Sequence, residues 1–309
     1  MTCSIQVASS NDDVRIWSPV LTNHLQHDAE QALLDIAQSI PQPGTTNACL
    51  AGGDAGFALF HAYFAKSTSI THADPTRHEE LMFAHLQAAL DALPTLAGQP
   101  DLIGGFTGIA WTINHLQSIG SLDDADEICD GIDETLIECI REQSHTMLCE
   151  LLTGLSGLGL YSLTRQHRRS GCELLKLTVN ALKHNAIEHS GTRTWFNGPE
   201  QLSIYALRST PQGCFNLGLS HGVPGAIAFL SQAASLVPAA RDLASDALKW
   251  LLLQARRYHN GSRYTYSFLS DPFEDPNGSR VAWCYGDLGI AVSLLRSARF
   301  SGRPDWEHT

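Results

Sequence analysis

The stretch LIGGFTGIAWTINHL, residues 102–116, decides the fold because it does not stand alone. In it, two glycines three apart open an apolar run of helical length. The same arrangement returns in LAGGDAGFALFHAYF (50–64), LLTGLSGLGLYSLTR (151–165), LSHGVPGAIAFLSQA (219–233) and WCYGDLGIAVSLLRS (283–297). The first glycines are Gly53, Gly105, Gly154, Gly222 and Gly286, at intervals of 52, 49, 68 and 64 residues. One G-x-x-G in a chain of 25 glycines says little. Five of them, each ahead of a buried-type helix, define an internal repeat.

Between the copies lie HLQHDAEQALLDIAQSI (24–40), HEELMFAHLQAALDAL (78–93), DDADEICDGIDETLIECI (123–140), GCELLKLTVNALKHNAIEH (171–189) and AARDLASDALKWLLLQARRY (239–258). Their apolar residues recur at spacings of three and four, as one-sided surface helices require. The segments after each G-x-x-G are apolar nearly all round, which places them inside. Each repeat therefore reads as an outer helix followed by an inner one. Such hairpins bury their apolar faces only by stacking. The expected fold is all-α: an α/α toroid of helical hairpins, with the chain of 309 residues forming one domain. Glycines at the start of every inner helix let several chain segments converge on one end of the barrel without Cβ clashes. Helix N-termini gathered there offer free N–H groups and partial positive charge, a setting suited to a thiolate or an enolate.

The last two intervals are roughly 12 to 19 residues longer than the first two. The excess falls in 191–219 and 260–280, where aromatics, Pro and Gly dominate and helical periodicity fades, so loops or short strands are expected before repeats 4 and 5. Long loops at one end of a rigid scaffold commonly carry function. The two repeats they precede hold His221, directly before its G-x-x-G, and Cys284, two residues before its own.

Composition narrows the classes. A net charge of −12 argues against nucleic acid and against an anionic membrane surface, because phosphate binding needs clustered Lys and Arg. No apolar run approaches the ~18–20 residues that span a bilayer. The N-terminus has neither a basic nor an apolar signal region. Eight scattered cysteines do not make a small disulfide framework, so reduced thiols and a cytoplasmic location are expected.

The stretches NLGLSHGVPG (216–225) and SRVAWCYGDLG (279–289), with the other G-x-x-G copies, resemble the lanthionine synthetase C family of LanC-like cyclases over residues ~50 to 297. The resemblance implies zinc-dependent addition of a peptide cysteine thiol to dehydroalanine or dehydrobutyrine, closing a thioether ring in a ribosomally made, dehydrated precursor peptide. It implies that Cys284 is a zinc ligand and that His221 protonates the enolate left by conjugate addition. Arg280 matches an active-site arginine that steadies the enolate or a peptide carbonyl; a surface salt bridge is the plainer alternative. Tyr285 either donates at the metal site or packs. At position 150 the family commonly has Asp; Glu150 keeps the carboxylate one methylene longer, to orient His221 or stage the thiol. Asp101, equivalent in the second repeat, reads as structural.

The family's sixth repeat opens with Cys-His-Gly and supplies two further zinc ligands. This sequence contains no Cys-His pair, and His308 is a poor substitute. The expectation is a C-terminally shortened LanC-like protein carrying five of seven repeats, with an open wedge, impaired zinc binding, and a dehydratase or a completing polypeptide as possible partners beside the peptide. Two alternatives remain. One is a non-catalytic, metal-free module that binds peptide or thiol. The other is a six-hairpin glycosidase, which would need two facing carboxylates and would leave WCYG without a role.

Overall fold

The computed structural model describes residues 21, 24–67, 74–268 and 278–302. The five inner helices begin on the residue after the first glycine of each repeat: α2 (Asp54–Lys66), α4 (Phe106–Ser118), α6 (Leu155–Thr164), α9 (Val223–Ala233) and α11 (Asp287–Ser301). The outer helices are α1 (His24–Ser39), α3 (Pro75–Asp91), α5 (Asp126–Gln143), α7 (Arg169–Asn185) and α10 (Pro238–Leu253). These match the amphipathic segments to within a few residues. The inner helices α4, α6 and α9 are buried through most of their circumference, as Ile109, Ile113, Leu155, Leu158, Ile227 and Leu230 show. This double layer of helices is the all-α toroid layout expected from the repeats.

The pairing of layers departs from the expected order. Four of the five inner helices pack most extensively on the outer helix that follows: α2 on α3, α4 on α5, α6 on α7 and α9 on α10, while α11 packs on α9. Helix α1 buries no residue, and Leu25 and Ile36 on it are about half exposed. Periodicity marks which face of a helix is apolar but not which neighbour covers it. The inner row runs α2, α4, α6, α9, α11, with α2 and α11 at its two ends. On α11 the residues Leu288, Val292 and Leu295, one helical stripe, remain exposed.

The glycines are explained by how each loop folds back on its own helix. A Cβ on Gly53, Gly105, Gly154, Gly222 or Gly286 would collide with the carbonyl oxygen of the residue six before it. The second glycine of each repeat meets the carbonyl six before it in the same way. The tight return lets the first helical N–H donate to the carbonyl seven residues back, as Asp54 does to Asn47 (2.9 Å) and Leu155 to Leu148 (2.8 Å). The second glycines also make room between repeats: a Cβ on Gly108 would stand 2.8 Å from the Leu50 Cβ, and one on Gly289 3.1 Å from the Leu219 Cβ.

A chain of backbone hydrogen bonds then ties the five loops to one another. Ala51 N–H donates to Ile103 O (3.1 Å), Ile103 N–H to Leu152 O (3.2 Å), Leu151 N–H to Ser220 O (3.0 Å) and Ser220 N–H to Cys284 O (3.4 Å). All five inner-helix N-termini are thereby held at the same end of the molecule.

The described parts of the extra lengths before repeats 4 and 5 contribute to short ribbons; residues 269–277 of the second lie outside the described residues. β1 (Ile187–His189) pairs antiparallel with β2 (Thr192–Thr194), and β3 (Phe215–Asn216) with β4 (Ser267–Phe268). Within 191–219, read as loop or strand, the structure also contains the six-residue helix α8 (Ile204–Ser209). A single turn and a half is too short for amphipathic periodicity to register.

Candidate functional site

His221 and Glu150 come from the loops of repeats 4 and 3, which the Leu151–Ser220 backbone bond clamps side by side. His221 Nδ1 lies 2.9 Å from Glu150 Oε2. The Glu150 side chain is fully buried, whereas that of His221 is 43% exposed. Glu150 also accepts from Leu152 N–H at 3.2 Å, from Thr153 N–H and from the Thr153 hydroxyl at 2.6 Å. Every donor around the carboxylate is accounted for, so Glu150 is an acceptor and His221 Nδ1 carries the proton that joins them. The Nε2 lone pair is left for another group.

Asp101 occupies the matching place in repeat 2 and accepts from Gly104 N–H at 2.5 Å. It closes its own loop, in line with its structural reading. Glu150 closes the same kind of loop and, with its longer side chain, reaches the neighbouring repeat as well. The extra methylene is therefore compatible with the contact to His221.

Cys284 and Arg280 belong to the loop before α11. The Cys284 carbonyl accepts from both Ser220 N–H and Ser220 Oγ (3.2 Å), and Ser220 is the residue next to His221. An Arg280 guanidinium nitrogen stands 3.7 Å from Cys284 Sγ. The Arg280 N–H donates to the Tyr266 hydroxyl at 3.1 Å, which ties this loop to the ribbon built by β3 and β4. Gly286, at φ +117, makes the turn from loop to helix in a conformation open to glycine.

Tyr285 completes the group. Its ring centroid is 5.9 Å from that of His221 and 5.7 Å from that of Tyr266. Its hydroxyl is 3.1 Å from Asn216 Nδ2. Burial pushes the Tyr285 phenol above its ordinary range, with the Asn216 bond acting the other way, so the hydroxyl is protonated at neutral pH. Thus Glu150, His221, Arg280, Cys284 and Tyr285 all sit on the loops at the glycine-lined end, with Glu150, His221 and Tyr285 forming one group and Arg280 and Cys284 a neighbouring pair. Asn216, Thr153 and Tyr266 join them and were not singled out from the sequence. Asn216 lies inside the quoted NLGLSHGVPG, yet nothing in the linear pattern says what its amide holds.

The zinc site implied by the resemblance needs three protein donors around one point. Among the described residues, no three His, Cys, Asp or Glu side chains are placed to hold a metal ion. The nearby charged group at Cys284 Sγ is a guanidinium, which repels a cation. The described residues do not by themselves fit zinc. His308 lies outside them.

The family model for lanthionine synthetase C-like proteins matches residues 22–308 of the chain. Nisin biosynthesis protein NisC from Lactococcus lactis subsp. lactis is 24% identical over 215 residues, covering 63% of this chain and 50% of that protein. The chain thus spans about half the length of this curated relative. The solved structure of a nisin cyclase superposes with a TM-score of 0.69 at 17% identity, over 93% of this chain and 74% of that one, which shows a shared fold. No helix among the described residues is long and apolar enough to cross a membrane.

Proposed function

Because the chain belongs to the lanthionine synthetase C-like family, we propose that it adds cysteine thiols of a dehydrated precursor peptide to dehydroalanine or dehydrobutyrine, closing thioether rings. The observation that carries this reading is the Glu150–His221 pair at 2.9 Å, set beside the Cys284 loop. Glu150 fixes the His221 tautomer, so Nε2 is the free basic nitrogen. That nitrogen takes the proton of the substrate thiol. The sulfur bonds to Cβ of the dehydro residue, and the π-electron pair moves onto the carbonyl oxygen as an enolate. The imidazolium, stabilised by Glu150, then returns the proton to Cα. One proton is removed and one replaced, so no co-reactant is needed. The Arg280 guanidinium supplies positive charge for the enolate oxygen. Zinc, where bound in this family, makes a thiol easier to ionise.

A second reading is favoured by the Arg280–Cys284 contact. A cysteine sulfur held by a guanidinium suits a metal-free module that binds the peptide without closing it. One experiment separates the two. The purified chain is incubated with a dehydrated, cysteine-containing peptide, and free thiol is followed by maleimide labelling and mass spectrometry. Ring closure leaves the peptide mass unchanged while the label is lost. The cyclase reading expects that loss with the wild type and none with His221→Asn, which keeps a donor toward Glu150. Peptide binding without loss of label supports the binding module instead. Neither binding nor closure would sink both.

A further inference from the structure

The geometry points to the tripeptide Asn216–Leu217–Gly218 as a built cradle that leaves the Tyr285 hydroxyl proton free to donate toward the bound peptide, with Asn216 as its positioning residue. This rests on the peptide-modifying reading of the site. Three independent contacts make the cradle. Gly218 seats the ring: a Cβ there would stand 2.7 Å from both Cδ1 and Cε1 of Tyr285 and 2.7 Å from the Cys284 carbonyl oxygen. The Gly218 N–H donates to Asn216 Oδ1 at 2.9 Å. That bond fixes which end of the amide is which, because an N–H cannot donate to the NH2 end. The Nδ2 end is therefore the one that faces Tyr285, at 3.1 Å, and it can only donate.

The polarity of this last bond has a chemical consequence. The Tyr285 oxygen accepts from Asn216, so its own proton is not spent on Asn216 and is free for another acceptor. The ring lies beside His221, where the reacting peptide must reach Nε2. A carbonyl oxygen of the dehydro residue is an acceptor of the required kind, and it gains negative charge as the enolate forms. Asn47 provides an internal comparison. It also sits six residues before the first glycine of its repeat, and its Oδ1 accepts from Cys49 N–H at 3.0 Å. The side-chain turn is thus a shared local device, and repeat 4 adds the tyrosine to it.

Asn216→Asp separates positioning from mere structure. Aspartate keeps the shape and still accepts from Gly218 N–H, but its second oxygen can only accept from Tyr285, so the hydroxyl proton turns inward. Two quantities are measured on the wild type, Asn216→Asp, Tyr285→Phe and the double variant. One is the Kd for a short peptide with one dehydroalanine and no cysteine, by calorimetry. The other is kcat/KM for ring closure of the same peptide carrying a cysteine. Each single variant is expected to weaken Kd about fivefold to tenfold, the double variant no further than either, with every variant still unfolding in one cooperative transition. Wild-type affinity in Asn216→Asp overturns the cradle, as do losses that multiply in the double variant, or a wild type that binds no peptide. If the binding pattern holds and the wild type closes no ring, the cyclase reading fails while the cradle stands.

Discussion

Glu150 and His221 are 71 residues apart in sequence and 2.9 Å apart in space, one fully buried and the other opening to solvent. The carboxylate ties down its own loop and, at the same time, fixes one face of an imidazole in the next repeat. A buried carboxylate with four donors around it does not move, and it passes that rigidity to the ring.

Glu150→Gln tests the arrangement. The amide presents its NH2 group to donors on one side whichever way it is turned, leaving at least one buried donor unsatisfied. We expect a loss of about 2 kcal/mol in stability, read by urea unfolding. In the ring-closure assay we expect kcat to fall about 100-fold with KM within a factor of about two, the magnitude of a lost general acid–base contribution. Unchanged kcat would mean that His221 does not depend on this partner.

Much of the fold was legible because glycine spacing and apolar periodicity are local signals. The starts of α2, α4, α6, α9 and α11 fall where the five G-x-x-G copies put them. The candidate site was legible to the extent that its residues sit inside those copies: His221, Cys284 and Tyr285 inherit their placement from the repeat. What the sequence does not carry is side-chain pairing between repeats. Thr153 supports Glu150, Asn216 holds the Tyr285 hydroxyl and Tyr266 pins Arg280 through contacts set by which loops become neighbours. The packing of each outer helix on the preceding inner one is of the same kind. The amphipathic pattern of α3 is equally compatible with covering α2 or α4.

The steric account of the glycines predicts opposite signs at two positions. Gly105→Ala would drive a Cβ into the Gln99 carbonyl and the Asp101 backbone at the start of α4, where no flexible side chain can yield. A loss of about 3 kcal/mol or more, or failure to accumulate as soluble protein, is expected. Gly131 lies in the exposed interior of α5 with nothing near its would-be Cβ. There Gly→Ala should stabilise by about 0.5–1 kcal/mol, through lower unfolded-state entropy and better helix propensity. Thermal unfolding of the two variants against the wild type checks both signs at once.

A different part of the chain holds a buried cation. Arg165 is fully buried at the end of α6 and meets three carboxylates of α5: Asp126, Asp130 at 2.6 Å and Asp133 at 3.3 Å. Asp133 is itself fully buried and accepts from the Tyr161 hydroxyl at 2.7 Å and from Ser170 Oγ at 2.8 Å. Arg165→Met strands that charge, and we expect a loss of about 3–5 kcal/mol in denaturant unfolding. Arg165→Lys should recover little of it, since one ammonium cannot span three acceptors set around a planar fork.

The pairing of α2 with α3 buries three histidines side by side, and mild acid is expected to weaken the protein there. His61 Nδ1 and His78 Nδ1 are 2.9 Å apart, His61 stacks on His85 at 5.5 Å, and His85 Nδ1 lies 2.7 Å from Asp54. His61, His85 and Asp54 are almost wholly buried, His78 only slightly less. Phe64 lies against His78, and Asp74 and Arg77 are the charges nearest its end of α3. Burial lowers His61 from 6.5 to about 4, with His78 and His85 adding to the shift. Burial also lowers His78, with Arg77 adding to that shift and Asp74 opposing it. Both therefore bind a proton more weakly folded than unfolded. As pH falls through about 6.5 the unfolded chain takes up protons that the folded chain refuses, so stability declines until about pH 4, where His61 titrates in the fold. His61 alone can account for up to about 3 kcal/mol across that window. Asp126 and Asp130 act in a lower one. Burial opposes ionisation of Asp126, but Arg165 and His167 outweigh it; Arg168 is the main cause at Asp130. Both end below 3.8, so their contribution is lost only under stronger acid. Urea unfolding measured from pH 7.5 to 4.5 should show the midpoint falling in the wild type. In a His61→Leu/His78→Leu variant the curve should be markedly flatter. An equal slope in both proteins would place the acid sensitivity elsewhere than between α2 and α3.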